Sequence, residues 1–215
     1  MSTEKSRPQT RREEQAAETR RRIVDAARDL FGTRGYAGTT IDAVATTAGV
    51  SLQTIYNSVG GKPTLLKAAY DVSLVGDHEP VPMVERPRFR AMLAASTGRQ
   101  ALTHYAALSR EICERIGPLV AMALAQAAAG DPDLQEFATT IERERAMGTA
   151  ATARFVADKF GLRDGLTTTH AADVLWTLTS HDVLRRLTEA RRWTLSRYEQ
   201  WLAQTMADAL LGPDL

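Results

Sequence analysis

Apolar positions fall into helical stripes from about Ala17 onward. Ile23, Ala27, Leu30 and Phe31 recur at the spacing of one helix face, with Arg21, Arg22, Arg28 and Asp29 mostly around it. Gly32 and Gly35 are expected to end that helix, because glycine accepts the left-handed cap that other residues resist. Thr39-Thr40-Ile41-Asp42 reads as a capping signature with Thr39 as the cap. Ile41, Val44, Ala45 and Ala48 then predict a short second helix. Ala48-Gly49-Val50 breaks it, and Ser51 stands where it can cap a third helix through about Ser58. Gly60-Gly61 breaks the chain again, and Pro63 suits the first turn of a fourth helix.

Past Gly76 the pattern changes. Asp77 to Pro87 is proline-rich and poor in strand formers, so it reads as a linker or the lead-in to a second domain. Further helices follow, with breaks expected at Gly98, Gly117-Pro118, Gly130-Asp131-Pro132, Gly161 to Gly165 and near Trp193-Thr194. Asp131-Pro132 is a cap followed by a first-turn proline and opens a helix reaching Phe160. Two more helices are expected, about Thr168 to Leu187 and Leu195 to Leu211. No period-2 alternation is long enough for a strand, so the fold class is all-α. The expected organisation is a flexible basic arm over 1–16, a helix-turn-helix domain over 17–76 with its motif at about 40–59, and a helical domain over 77–215.

Composition narrows the class. The chain has 215 residues, 44% hydrophobic and 25% charged, which suits a globular protein with one sizeable core or two small ones. Its single cysteine, Cys113, excludes an internal disulfide and a CxxC-type zinc or redox site. The longest mostly apolar run, Leu119 to Ala129, falls short of the about 20 residues that a bilayer requires. No apolar stretch follows the N-terminal arginines as in a secretory signal, so the expected location is cytoplasmic, without membrane contact. The net charge is +1, yet residues 1–76 carry 11 Lys/Arg against 8 Asp/Glu. A basic end suits a polyanionic partner or a solvated tail equally well.

The constellation between Thr40 and Val59 carries the most chemistry. Two short helices around an Ala-Gly-Val corner make a helix-turn-helix. Ala45 is small where the helices approach, Gly49 can take positive φ, and Val50, Ile55 and Val59 face inward. Leu52, Gln53, Tyr56 and Asn57 are left as an outer face. Gln and Asn can pair with the adenine edge in a major groove, and Leu can pack on a thymine methyl. Two amphipathic helices can also make such a corner for structural reasons alone.

The stretch Ile23 to Tyr70 resembles the DNA-binding domain of the TetR family of transcriptional regulators. The similar segments are Ile23-Val24-Asp25-Ala26-Ala27 with Leu30-Phe31, then Gly35-Tyr36, Thr39-Thr40-Ile41, Ala48-Gly49-Val50-Ser51, Thr54-Ile55-Tyr56 and Lys62 with Leu65-Leu66. The resemblance implies a homeodomain-like three-helix domain that binds double-stranded DNA. It implies phosphate contacts from Thr40 and Lys62, a backbone contact from Tyr56, and Gln53 and Asn57 against bases, with Ser51, Leu52 and Thr54 on the same surface. Helix N-termini also offer free N–H groups to phosphate. Two departures stand out. Ser58-Val59 replaces the family's usual His or Tyr followed by Phe, and Gly61 replaces a capping Ser or Asp.

The remainder is implied to bind a small-molecule effector and to pair two copies into a homodimer. Its final helices, with Val174, Leu175, Leu178, Leu184, Leu187, Trp201, Leu202 and Leu210, are the expected interface. Polar or soft residues on apolar helices are the effector-pocket candidates: His104, Tyr105, Cys113, Met122, His170, Trp176 and His181. A lone helical histidine is more often structural than a ligand contact.

Enzyme readings fail on specifics. The four histidines have no i, i+3 or i, i+4 partner for a helical zinc pair. There is no G-x-S-x-G elbow. Tyr56 and Pro63 occupy the positions that a P-loop around Gly61-Lys62 requires as Gly and Ser/Thr. Gly32, Gly35 and Gly38 follow no strand, so they make no dinucleotide fingerprint. No metal or cofactor is expected. The resemblance implies a ligand-released homodimeric repressor on a palindromic operator. The rival is an all-α small-molecule-binding protein or enzyme with an incidental helix-turn-helix.

Overall fold

The structure, a computed structural model, describes residues 7–212, with side chains from Arg11. Among the described residues there are helices and turns but no strand. None of these helices is long and apolar enough to cross a membrane. The helices are α1 (Arg7–Arg34), α2 (Ile41–Ala48), α3 (Leu52–Ser58), α4 (Lys62–Val75), α5 (Pro87–Ala94), α6 (Gly98–Ala128), α7 (Pro132–Phe160), α8 (Thr168–Leu178), α9 (His181–Arg185) and α10 (Leu195–Leu210). A 3₁₀ turn covers Met83–Glu85 and a π turn covers Arg186–Ala190.

Two compact units divide the chain. Unit 1 holds residues up to His78 together with Pro118–Phe137, and unit 2 holds Glu79–Gly117 and the chain from Ala138 on. The boundary expected at 76/77 therefore needs an amendment, since the α6–α7 turn joins the N-terminal unit. Side chains explain it: Phe137 meets Tyr70 edge to face at 5.5 Å, and the Gln126 Oε1 accepts the Ala37 N–H.

In unit 1, α1 packs on α2, α3 and α4. Ile23, Ala27 and Phe31 on α1 are fully buried, as are Leu65 and Ala69 on α4. Much of the arm expected over 1–16 is helical, because α1 begins at Arg7; residues 1–6 lie outside the described residues. Arg11 to Glu18 are all exposed, so no apolar stripe marks them, while their Arg, Glu, Gln and Ala composition favours helix. Gly32 does not end α1. Gly35, at φ 71°, does.

The cap of α2 is Thr40 rather than Thr39. The Thr40 hydroxyl accepts the Ala43 N–H, while Thr39 is buried and donates to the Gly35 carbonyl. Gly49 takes φ 65° and closes α2 with its N–H on the Ala45 and Thr46 carbonyls. Ser51 caps α3, as its position predicts, and Gly61 offers α4 no side-chain cap.

In unit 2 the core gathers Leu102, Leu175, Tyr198, Leu202, Met206 and Leu210. Helix α10 packs on α8. The Arg110 guanidinium joins α6 to α10 through Glu199 at 2.6 Å. One expected break is absent and one unexpected break is present. Pro118 lies inside α6, a 31-residue helix. An interior proline costs about 3 kcal/mol, but Cys113 and Ile116 before it and Leu119 and Val120 after it are buried and hold the helix on both sides. The helix expected over Thr168 to Leu187 is instead interrupted. Thr179 bonds back to the Leu175 carbonyl and Ser180 caps Val183, so local side-chain bonds end α8 and start α9.

Half of the residues expected to pair two copies are buried in the protomer core, while Val174, Leu178, Leu187 and Trp201 are only partly buried against it. Leu175, Leu184, Leu202 and Leu210 are each 5% exposed or less within one chain. The larger apolar side chains left exposed in this unit include Met147, Trp176 and Leu195.

Candidate nucleic-acid interface

Helix α3 presents the outer face that its spacing predicts. Ile55 is its buried anchor, at 0% exposed, and Leu52, Gln53, Tyr56 and Asn57 are exposed. The Gln53 Nε2 donates to the Asn57 Oδ1 at 2.9 Å. That bond orients both amides. It leaves the Gln53 oxygen and the Asn57 nitrogen outward as an acceptor and a donor, the pattern complementary to an adenine edge.

The N-terminal end of α3 is held by Ser51, which accepts the Thr54 N–H at 3.1 Å and pairs with the Thr54 hydroxyl at 2.8 Å. Thr54 is half-buried and so is less available than the exposed Ser51. Thr40 is exposed at the start of α2. Its oxygen is used by the cap, which leaves its hydroxyl hydrogen to donate. At the other end of α3, the Arg20 Nη1 donates to the Ser58 carbonyl at 2.6 Å and ties α1 to α3. Arg20 escaped sequence reasoning because it sits on the exposed part of α1, outside any apolar stripe.

Lys62 opens α4, yet it is half-buried rather than extended into solvent. Its ammonium lies 4.2 Å from the Tyr36 ring centroid. The buried Tyr36 hydroxyl donates to the Asp133 Oδ2 at 2.8 Å. Desolvation lowers the Lys62 pKa, while Asp131 and Asp133 act to raise it. Burial, followed by the Asp133 hydrogen bond, pushes the Tyr36 hydroxyl far above the ordinary phenol range.

The seven effector-pocket candidates are not one cluster. Met122 belongs to unit 1 and the other six to unit 2. His170 is exposed in the first turn of α8, and Trp176 is 39% exposed with the Arg145 guanidinium over its ring. His104 is half-buried. His170 is thus on the surface and not among the buried candidates.

Tyr105, Cys113 and His181 remain. Tyr105 is buried, and its pKa is raised by desolvation against hydrogen bonds with Thr152 and Ser109. The Cys113 thiol points at the Thr179 carbonyl, 3.7 Å away. Both ring nitrogens of His181 are buried without a hydrogen-bond partner. Burial and then the Arg185 charge lower the His181 pKa, against Glu189 and Asp182, which favours the neutral ring. Gly117 leaves room for that imidazole, because a Cβ there would lie 2.9 Å from His181 Cε1. Among the described residues no group of His, Cys, Asp and Glu is placed to hold a metal ion.

Burial pushes the Cys113 thiol up to about 11, against the nearby Arg145 charge. A disulfide-exchange reagent at pH 8 is therefore expected to titrate no thiol in the folded chain and one after denaturation. Rapid labelling of the folded chain would show that Cys113 is open to solvent.

Residues 23–69 match the family model described as bacterial regulatory proteins, tetR family. No curated protein matches the chain. Among solved structures, a TetR transcriptional regulator from Chloroflexus aurantiacus J-10-FL is 22% identical, with a TM-score of 0.61 over 92% of this chain and 98% of that one. A candidate transcriptional regulator from Saccharomonospora viridis in complex with choline is 18% identical, with a TM-score of 0.64 over 91% and 98%. SmeT in complex with triclosan is 21% identical, with a TM-score of 0.63 over 91% and 92%. At these identities the likeness establishes the fold of both units. Fold and matched segment together define a helix-turn-helix domain followed by a helical unit. The helix-turn-helix domain, over residues 23–69, carries the pattern of the tetR family of bacterial regulatory proteins.

Proposed function

We propose that the protein is a homodimeric cytoplasmic repressor that reads a palindromic operator and is released from it by a small molecule. The observation that carries this reading is the exposed Gln53–Asn57 amide pair on α3. In this reading Gln53 and Asn57 read bases, Leu52 packs on a thymine methyl, and Thr40, Ser51, Thr54, Tyr56 and Lys62 meet the backbone. One short helix reads only a few base pairs, so a second copy related by a two-fold axis supplies the other half-site. The effector enters unit 2 near Tyr105, Cys113 and His181. The structures with choline and triclosan bound support a small-molecule site on this fold. The effector releases DNA only through its differential affinity for two conformations.

The test is binding of the full chain to duplexes selected from a random pool, read by fluorescence anisotropy. Gln53→Ala or Asn57→Ala should each cost about 1–3 kcal/mol on the selected duplex and little on mixed-sequence DNA. Equal losses on both would make the two amides backbone contacts. Sedimentation of the complex should give two chains per duplex, and a single chain per duplex would overturn the dimer.

A further inference from the structure

Lysine is an unfavourable residue at a helix N-terminus, where the helix dipole repels cations. Lys62 nevertheless opens α4, behind an N-cap glycine that supplies no side-chain bond. Something must compensate, and the structure shows what does. The ammonium sits over the face of Tyr36, a ring only 3% exposed. Through its hydroxyl that ring is bonded to Asp133, a residue 97 positions away in sequence. Asp131 adds a second carboxylate from the same turn. It also caps α7, with its Oδ1 accepting the Leu134 N–H. The turn is held against this domain by the Gln126–Ala37 bond and the Phe137–Tyr70 ring contact.

A cation on an aromatic face is favoured further when that face is electron-rich. A phenol donating to a carboxylate is such a face. One cation therefore shares its surroundings with two carboxylates. A DNA phosphate approaching the start of α4 has to compete with them for Lys62.

We propose that Asp133, acting through Tyr36, is a positioning residue that holds Lys62 back from the DNA backbone. The α6–α7 turn thereby sets the affinity of the DNA-binding domain. The proposal rests on the DNA-binding reading above and adds a regulatory element to it. The two helices joined by this turn are those whose remaining residues belong to unit 2. A conformational change along either helix thus has a chemical output at the turn: it alters how tightly Lys62 is kept.

The experiment uses the full chain and a labelled duplex of mixed sequence, since a phosphate contact needs no operator. Anisotropy titrations over a range of salt compare the wild type with Asp133→Asn, Tyr36→Phe, Lys62→Met and the double variant Asp133→Asn/Lys62→Met. Asn keeps the size of the side chain at an exposed position, and Phe keeps the ring beneath the ammonium. Asp133→Asn should tighten binding about fivefold, the upper end for an exposed ion pair. It should also steepen the salt slope by up to about one unit as Lys62 becomes a full phosphate contact. Tyr36→Phe should move both quantities the same way.

In the Lys62→Met background, Asp133→Asn should change neither quantity. An equal gain in both backgrounds would reduce Asp133 to a distant charge and overturn the proposal. Weaker binding by Asp133→Asn would overturn it too, by showing that the carboxylate delivers Lys62 to DNA. A wild-type chain that binds no duplex at any salt would overturn the DNA-binding reading, and this inference with it.

Discussion

Truncating Ile55 to alanine is expected to abolish tight DNA binding while leaving unit 2 as stable as before. Helix α3 has seven residues, too few to persist as an isolated helix in water. Among them only Ile55 is buried, and it is completely so. The remaining ties are its capping bonds and the Arg20 bond to the Ser58 carbonyl, all at the surface. Removing a buried isoleucine side chain costs about 2–5 kcal/mol, whereas a net hydrogen bond returns about 1. The loss therefore exceeds what any one surface tie can restore. Affinity falls with the fraction of chains that keep α3 docked, by at least about tenfold where that fraction drops to a tenth.

Ile55→Val, at about 0.5–1.5 kcal/mol, should keep most of the binding. Anisotropy on a selected duplex measures the loss. The three tryptophans, Trp176, Trp193 and Trp201, all lie in unit 2, and their fluorescence should report an unchanged unfolding midpoint. Wild-type affinity in Ile55→Ala would mean that α3 is not the element that reads DNA.

The helix-turn-helix was legible because its signals are local. Ser51 before an apolar turn, Gly49 in the corner and an uncapped Gly61 each act within a few residues, and the structure shows each of them at work. One local reading slipped by a single residue. Thr39 and Thr40 have the same hydroxyl, and only the burial of Thr39 decides which one caps. The start of α1 was illegible for a different reason. An exposed helix has no apolar period to detect, so composition is the sole signal at Arg11 to Glu18.

Pro118 misled because a break rule sees the proline and not the buried residues on either side of it. His170 and His181 look alike in sequence, as lone histidines on one expected helix. One is exposed and the other has both ring nitrogens sealed from water. Tyr36 was visible as part of a motif, but its bond to Asp133 joins segments that no spacing rule connects.

Replacing Tyr198 by alanine should have the largest effect of any single truncation in unit 2, and replacing it by phenylalanine should have almost none. Tyr198 is completely buried and sits at the start of α10, with its ring 6.0 Å from that of Trp201. Its neighbours in the same core are Leu175 on α8 and Leu202 one turn further along α10. Deleting an aromatic side chain from such a site costs about 3–5 kcal/mol, a large part of the 5–15 kcal/mol that holds a typical domain together. The hydroxyl contributes far less. Its distance to the Leu178 carbonyl is 3.5 Å, beyond the ordinary range for an O–H donor. Burial also raises its pKa well above the usual phenol range, so it stays neutral and carries no ion-pair energy. Tyr198→Phe should therefore cost less than about 1 kcal/mol. Urea unfolding followed by tryptophan fluorescence separates the two variants, because Trp201 lies against the substituted ring. If phenylalanine cost as much as alanine, the hydrogen bond to the end of α8 would be what fastens α10, and the packing account would fall.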